Sequence, residues 1–167
     1  MRRSRHTIRL QRLDYSLPNQ FFVTVCTEKH GCYFDKYPKL YTITTNNIYQ
    51  IQRKYRNISI PIYIIMPNHL HLIIIIKSQA KDITLGTIIK TFKGRIINDW
   101  LKIIKLRKIN TLGCIWQRNY YEHRIRNAIE YEKYTQYIKQ NPAKWNTDRY
   151  NPKNLFLKCR GLACQDP

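Results

Sequence analysis

Hydrophobic positions follow two patterns along this chain, one typical of strands and one typical of helices. Residues 20–27, 58–66 and 69–76 are short runs rich in β-branched and aromatic side chains, a composition typical of strands. The second and third runs flank Pro67 and Asn68, two residues whose backbone preferences favour a turn. The pattern therefore predicts one strand followed later by a β-hairpin, with both hairpin strands largely buried.

Helices are predicted in the segments between and after these strands. Residues 82–105 carry apolar side chains three and four positions apart, which indicates an amphipathic helix with a basic outer side. Residues 39–56 and 127–140 are also predicted to be helical, and the second of these ends before Pro142 because proline cannot continue a helix. Residues 113–116 are predicted to form a further short strand.

The order of these elements predicts an α+β fold. If the first two helices cover one face, the simplest arrangement is an antiparallel sheet with helices packed on one face, of the ferredoxin-like or RRM-like type. The other face would then be available for substrate and for the last helix. Residues 1–18 are predicted to be a basic N-terminal arm, residues 19–145 one domain, and residues 146–167 a basic C-terminal tail.

Charge narrows the class of partner. The 167 residues include 30 Lys and Arg against 10 Asp and Glu, a formal net charge of +20, so nucleic acid is the first partner to consider. The five cysteines form no C-x-x-C pair, which argues against a disulfide framework or a zinc finger and favours a reducing cytoplasm. Prolines and histidines interrupt the apolar run at residues 58–76, so no transmembrane helix and no membrane partner are expected.

Two histidines stand within the third predicted strand. Residues two apart in a strand point to the same side, so His69 and His71 present two imidazoles to one spot while Leu70 faces the core. Two nitrogen donors on one face are half of a metal site. The alternative is a pair of histidines that merely lie beside a turn, although a histidine pair in an apolar strand is costly unless something satisfies it.

A tyrosine and an asparagine lie close together on the last predicted helix. Tyr137 and Asn141 are four residues apart and share a face if the helix runs through Gln140. A phenol, with a pKa of about 10, is a poor nucleophile without a metal or a base. Asn141 could supply a third ligand oxygen to Mg²⁺ or Mn²⁺ acting as a Lewis acid on a phosphodiester. Tyr134 lies on the same helix, and physical argument alone does not choose between the two tyrosines.

Aromatic and arginine side chains alternate in residues 116–127. Such a mixture suits stacking on unpaired bases and binding of phosphates. His123 is titratable, and we assign it a structural or DNA-positioning role rather than that of a general base. The DNA contacts predicted from this segment, the basic helix and the arm are Arg118, Tyr121, His123, Arg124, Arg126, Lys90, Lys93, Arg2, Arg3 and Arg5.

Four motifs in sequence order resemble those of REP-associated tyrosine transposases and the wider single-tyrosine HUH transposase group. Residues 67–71 match the "PNH-x-H" form of the HUH motif, and residues 116–126 match "WQ-x-x-x-Y-x-H-x-IR". Residues 137–142 match "YI-x-x-NP", and residues 22–27 are similar to the "FVT-x-x-T" first strand. Order and spacing agree from about residue 21 to residue 145, which is most of the chain.

This resemblance implies a fold, a reaction and a site. Such enzymes have an antiparallel sheet flanked by helices, bind a DNA hairpin and cut a nearby single strand. Their tyrosine becomes joined to the 5′ phosphate, and a later attack by a 3′ hydroxyl rejoins strands. The resemblance implies Tyr137, rather than Tyr134, as nucleophile and His69, His71 and Asn141 as ligands of Mg²⁺ or Mn²⁺. It also implies a monomer or homodimer that acts in the bacterial cytoplasm, associated with the nucleoid when bound to DNA.

Two other functions remain open at this point. One is a non-catalytic RRM-like protein that binds DNA or RNA, for which the histidine pair would be unnecessary and no RNP1-like pattern is present. The other is a metal-dependent hydrolase without a covalent step, which would tolerate Tyr137→Phe. The first strand begins with PNQF at residues 18–21 instead of the "GTW"-like start of many REP-associated members, which leaves the subfamily and its recognition sequence open.

Overall fold

A four-stranded sheet and four helices make up the part of the chain that the computed structural model describes, residues 18–78, 83–111 and 113–154. The strands are β1 (Asn19–Cys26), β2 (Ile58–Met66), β3 (His69–Ile76) and β4 (Tyr121–Ile125). The helices are α1 (Tyr33–Lys36), α2 (Pro38–Lys54), α3 (Leu85–Arg107) and α4 (Ala128–Gln140). Short 3₁₀ turns cover Glu28–His30 and Pro142–Thr147.

The sheet has the order β2-β3-β1-β4, and every neighbouring pair is antiparallel. Helices α2 and α3 each connect one half of the sheet to the other, which gives the βαββαβ arrangement of ferredoxin-like folds. The α+β fold class predicted from the sequence is confirmed. The hairpin prediction is confirmed as well, because β2 and β3 pair directly across the turn at Pro67 and Asn68.

Two cores lie on the two faces of the sheet, because alternate strand residues point to opposite sides. Helices α2 and α3 cover one face over a large core that includes Phe21, Val23, Val25, Leu70, Leu72 and Ile74. Helix α4 packs over part of the other face, against a smaller core of Phe22, Ile73, Ile125 and Ile138. Strand β3 is therefore buried from both sides, and this explains its uninterrupted run of apolar residues.

The fourth strand is not where the sequence pattern put it. Residues 113–116 contribute only an isolated bridge between Thr27 and Trp116, so the prediction of a strand there is wrong. The strand that completes the sheet is β4, which lies at the edge, is five residues long and pairs Gln20 with Ile125. A short edge strand with charged and aromatic side chains lacks the apolar alternation that identifies half-buried strands.

Most of the predicted arm and the second part of the predicted tail are outside the residues that the structure describes. Residues 1–17 and 155–167 lie outside them. The first part of the predicted tail, residues 148–151, packs against the turn before β3, where the side-chain nitrogen of Asn68 donates to the carbonyl oxygen of Tyr150 at 2.6 Å. The boundary after residue 145 stays a prediction. Among the described residues, no helix combines the length and the hydrophobicity needed to cross a membrane.

Candidate metal centre and nucleophile

His69 and His71 converge on one point at the start of β3. Their side chains lie on the same side of the strand and are 0% and 1% exposed, and their Nε2 atoms are 3.0 Å apart. A metal ion about 2.1 Å from two nitrogens at a right angle would hold those nitrogens about 3.0 Å apart. Leu70, between them, packs into the large core on the opposite face. The alternation predicted for the two histidines therefore produces a geometry that can hold an ion.

Asn68 fixes the orientation of the first imidazole. Its side-chain nitrogen donates to the carbonyl oxygens of His30 at 3.0 Å and Tyr150 at 2.6 Å, so its Oδ1 faces Nδ1 of His69 at 2.8 Å. A carboxamide oxygen only accepts hydrogen bonds, so Nδ1 of His69 carries the proton. The lone pair of this ring is therefore on Nε2, the atom that faces the candidate metal position.

Thr24 has the corresponding role for the second imidazole. It lies directly opposite His71 in the β1–β3 pairing, is buried, and has its hydroxyl 2.8 Å from Nδ1 of His71. A hydroxyl can donate or accept, so His71 can present either a proton or a lone pair at Nε2. Without an ion, Nε2–H of His71 donates to Nε2 of His69, and ligation requires only that the proton move to Nδ1.

Both histidines are neutral at physiological pH. Burial is the largest cause that lowers the pKa of His69, to about 3, and electrostatic interactions with His30 and Arg149 act in the same direction. Burial also lowers the pKa of His71 well below its ordinary value, with His69 and Arg149 acting in the same direction. Neutral imidazoles are the form that binds a metal ion.

Asp148 lies beside the histidine pair, and Asn141 lies beside Tyr137. Oδ2 of Asp148 is 3.8 Å from Nε2 of His69, and the ligand atoms of Asp148, His69 and His71 all lie within 4.8 Å of one another. Asn141 is 3% exposed, and its Oδ1 has no hydrogen-bond partner among the described residues. An unpartnered buried oxygen costs about 1–3 kcal/mol unless something binds it. The third donor predicted from the sequence is thus buried and unpartnered, and Asp148 is a donor that the sequence analysis missed.

Tyr137, and not Tyr134, lies beside the histidines. The ring of Tyr137 is 5.1 Å from that of His71, and its side chain is 40% exposed. Tyr134 stacks on Phe22 at 4.5 Å and contacts His123 at 5.1 Å, on the side towards β4. The geometry therefore distinguishes the two tyrosines that the helical spacing left equivalent.

The electrostatic environment of Tyr137 contains opposing effects. Burial raises the pKa of its phenol, and the carboxylate of Asp148 raises it further. A hydrogen bond from the Asn141 side chain and the charge of Arg149 lower the pKa. Binding of a cation at the histidines would add to the lowering effects, because positive charge favours the phenolate.

The segment after α4 covers the histidine pair. The ring of Tyr150 lies 4.7 Å from that of His69 and 5.6 Å from that of His30. The guanidinium of Arg149 lies 4.9 Å over the Tyr150 ring and donates to its hydroxyl oxygen at 2.9 Å. This exposed cation and the aromatic ring beneath it were not identified from the sequence, because a polar segment without periodicity gives no signal of where it packs.

Three of the predicted DNA contacts line one groove on the α3 side of the molecule. The groove encloses about 550 Å³ and includes Lys90, Lys93, Arg118 and Tyr120. The ammonium of Lys93 donates to the carbonyl oxygens of residues 117, 118 and 119, at distances between 2.8 and 3.3 Å. Lys93 therefore holds the loop that carries Arg118, while Lys90 and Arg118 are the exposed cations of the groove.

The remaining predicted DNA contacts lie on and beside β4. Tyr121 is 43% exposed, and Arg124 and Arg126 are exposed. His123 is partly buried, with Nε2 3.4 Å from a carboxylate oxygen of Glu130. The arm residues Arg2, Arg3 and Arg5 lie outside the described residues.

Comparisons with known proteins show which sequences and folds this chain resembles. No protein-family model matches the chain. A protein of Haemophilus influenzae described only as uncharacterized is 29% identical over 171 residues, which cover 87% of this chain and 92% of that protein. A weaker structural likeness, with a TM-score of 0.48 and 14% identity, relates 79% of this chain to 95% of a candidate transposase of Deinococcus radiodurans.

A stronger likeness is to a solved REP-associated tyrosine transposase bound to a REP hairpin. The TM-score is 0.60 at 21% identity, and the match covers 81% of this chain and 73% of that chain. The chain shares the α+β fold of a REP-associated tyrosine transposase.

Proposed function

We propose that this protein is a transposase, a metal-dependent single-strand DNA endonuclease and strand transferase that forms a 5′-phosphotyrosine intermediate. One observation carries the proposal. The partly exposed phenol of Tyr137 lies beside His71, whose Nε2 converges with that of His69. A nucleophile next to a potential cation site is the arrangement that phosphodiester transesterification requires. All of these groups come from one chain, so a monomer has every proposed residue of the site.

The donors fit a divalent cation. His69, His71 and Asp148 would hold it, and the unpartnered Oδ1 of Asn141 would supply a fourth ligand, an oxygen. Carboxylate and amide oxygens suit Mg²⁺ and Mn²⁺, and two imidazoles shift the preference towards Mn²⁺. When bound, such an ion supplies Lewis-acid polarisation of the scissile phosphate. The neutral state of both histidines agrees with this role.

The groups of the chain itself then account for the bond changes. The phenol oxygen of Tyr137 attacks phosphorus and loses its proton, the phosphorus–O3′ bond breaks, and O3′ takes up a proton as it leaves. The new ester joins Tyr137 to the 5′ phosphate. Asn141 holds the phenol by a hydrogen bond, and the charge of Arg149 favours its ionised form. Attack by a 3′ hydroxyl reverses these steps, and one ester replaces another, so rejoining needs no ATP.

The substrate we propose is hairpin DNA with an adjacent single strand. The REP-associated enzyme of the same fold was solved with a REP hairpin, and the +20 charge of this chain suits binding of phosphates. The groove with Lys90 and Arg118, the β4 side chains and the arm supply the basic contacts. We also propose action in the bacterial cytoplasm, at the nucleoid when DNA is bound.

A denaturing-gel assay tests the reaction. Single-stranded DNA from the regions flanking the gene, labelled at either end, is incubated with Mg²⁺ or Mn²⁺. We expect a protease-sensitive adduct on the 5′-phosphate side that is abolished by EDTA and by Tyr137→Phe and is retained in the matched variant Tyr134→Phe. Cleavage that persists in Tyr137→Phe would indicate a hydrolase. Tight binding of the DNA without any cleavage would indicate a DNA-binding protein.

A further inference from the structure

A second cavity lies on the α4 face of the sheet, at the end remote from the histidine pair. We propose that it holds one unpaired base of the DNA strand that Tyr137 cuts. The cavity encloses about 390 Å³, and its lining residues are Gln20, Ile75, Ile125, Arg126, Asn127, Ala128 and Tyr131. The inference rests on the proposed function, because it takes single-stranded DNA as the ligand and gives that ligand a second point of attachment.

Two elements connect this base pocket to the nucleophile. On β1, Gln20 lines the pocket and Thr24 lies opposite His71, which contacts Tyr137. These two β1 residues are four positions apart, which corresponds to about 13 Å along the strand. Tyr131 and Tyr137 are six residues apart on α4, about 9 Å along the helix axis. A stacked DNA strand rises about 3.4 Å per nucleotide, so this separation spans about three or four nucleotides, and fewer if the strand is extended. One strand can therefore reach both places.

The lining of the base pocket suits a nucleobase. The side chains of Ile75 and Ile125 and the ring of Tyr131 supply apolar lining on which a base can pack. Gln20 offers a carboxamide that can donate to and accept from a base edge. Arg126, at the exposed rim, is available for the adjoining phosphate. Apolar walls, one amide and a cation at the rim are the features by which unpaired nucleotides are held.

Exposed rings lie on the same face as the base pocket, at the end near the histidine pair. Strand β4 lies at the sheet edge beyond β1, and its residues 121, 123 and 125 face the same side as Phe22. The rings of Tyr121 and Tyr137 are 43% and 40% exposed and contact Phe22, which is buried beneath them, at 6.4 and 5.7 Å. The ring of Tyr121 can stack on a base beside the cut phosphate.

Filling the base pocket separates its contribution from that of the surrounding charge. Ala128 lines the pocket at the first turn of α4, and Ala128→Trp would occupy it. The matched control is Ile129→Trp, since the neighbouring Ile129 is 82% exposed and outside the lining. Both changes are made in the Tyr137→Phe protein, so that no covalent adduct forms. The readout is fluorescence anisotropy with a 12-nucleotide single strand of mixed sequence and with an abasic strand of the same length.

The ratio of the two affinities measures how much the bases contribute to binding. We expect Ala128→Trp to lower this ratio about tenfold, within the range measured for loss of base stacking, and Ile129→Trp to leave it unchanged. Equal ratios in the two variants would overturn the proposal. The result is independent of cleavage, so a missing adduct would refute the catalytic role of Tyr137 and leave the pocket testable.

A cross-linking measurement keeps the pocket testable if Ala128→Trp does not fold. The Tyr137→Phe protein, with its pocket unaltered, is irradiated with the same strand carrying 5-iodouracil in place of thymine. We expect a cross-link on Tyr131, identified by mass spectrometry of peptides. Cross-links confined to Tyr121 or to other residues outside the pocket would contradict the proposal.

Discussion

Replacing Asn68 by alanine tests whether the residue orients the metal-binding histidine. The change removes two hydrogen bonds donated to the carbonyl oxygens of His30 and Tyr150 and one accepted from His69. At about 0.5–1.5 kcal/mol for each of the three bonds, the free energy of unfolding should fall by about 1.5–4.5 kcal/mol. The His69 ring also loses the acceptor that keeps its lone pair on Nε2, so affinity for Mn²⁺ should fall about 10- to 100-fold.

A second substitution at the same position separates orientation from stability. Asn68→Asp keeps an acceptor for Nδ1 of His69 but cannot donate to the two carbonyl oxygens. We expect this variant to lose stability, as Asn68→Ala does, but to keep Mn²⁺ affinity within a few-fold of the wild type. Asn57→Ala is the control, because it removes one exposed hydrogen bond at the end of the β2–β3 hairpin opposite to the histidines and should leave Mn²⁺ affinity unchanged.

Calorimetric titration with Mn²⁺ and thermal unfolding together decide this prediction. A folded Asn68→Ala protein that binds Mn²⁺ as tightly as the wild type would refute the reasoning, because the orientation of His69 would then not depend on its outer hydrogen bond. A loss of affinity in Asn57→Ala of similar size would refute it equally, by showing that affinity follows overall stability.

Three further predictions concern the ligands, the loop and the core. Asp148→Asn should weaken Mn²⁺ binding in calorimetry, and unchanged affinity would exclude Asp148 as a ligand. Burial lowers the pKa of Lys93 to about 8, below the value of about 10.4 for the unfolded chain. Between pH 8 and 10 the unfolded state therefore binds more protons, and the free energy of unfolding should rise with pH relative to that of Lys93→Met. The same pH dependence of unfolding in the two proteins would contradict this. Trp100→Ala, which empties a site that is 1% exposed, should cost about 3–5 kcal/mol in denaturant unfolding, and a loss below 1 kcal/mol would contradict the described core.

The parts of the fold that could be predicted from the sequence are those in which local pattern and burial agree. Strands β2 and β3 match their predicted bounds because both are apolar, β-branched runs and the turn at Pro67 and Asn68 separates them. The prediction that both are largely buried is confirmed for β3 and wrong for β2, an edge strand that is buried only towards its two ends. That the side chains of His69 and His71 lie on the same side of β3 follows from strand alternation alone. Strand β4 could not be predicted in the same way, since an edge strand carries polar side chains that hide its period.

The parts of the candidate site that could not be predicted depend on contacts between distant segments. Asp148 lies 79 positions after His69 in a polar segment, and only the packing of that segment against Asn68 brings it near the histidines. The same packing brings Tyr150 over His69. Helical spacing left Tyr134 and Tyr137 equivalent, and the position of α4 over β3 distinguishes them, because only the end of the helix reaches His71.

Identifying the side chain that carries DNA tests the central claim most directly. The wild-type protein is incubated with Mn²⁺ and single-stranded DNA from the regions flanking its gene, the trapped adduct is digested with protease and nuclease, and its peptides are sequenced by mass spectrometry. We predict a nucleotide 5′-phosphate on Tyr137. A nucleotide on Tyr134 or Tyr121, or cleaved DNA without any modified peptide, would contradict the proposed mechanism.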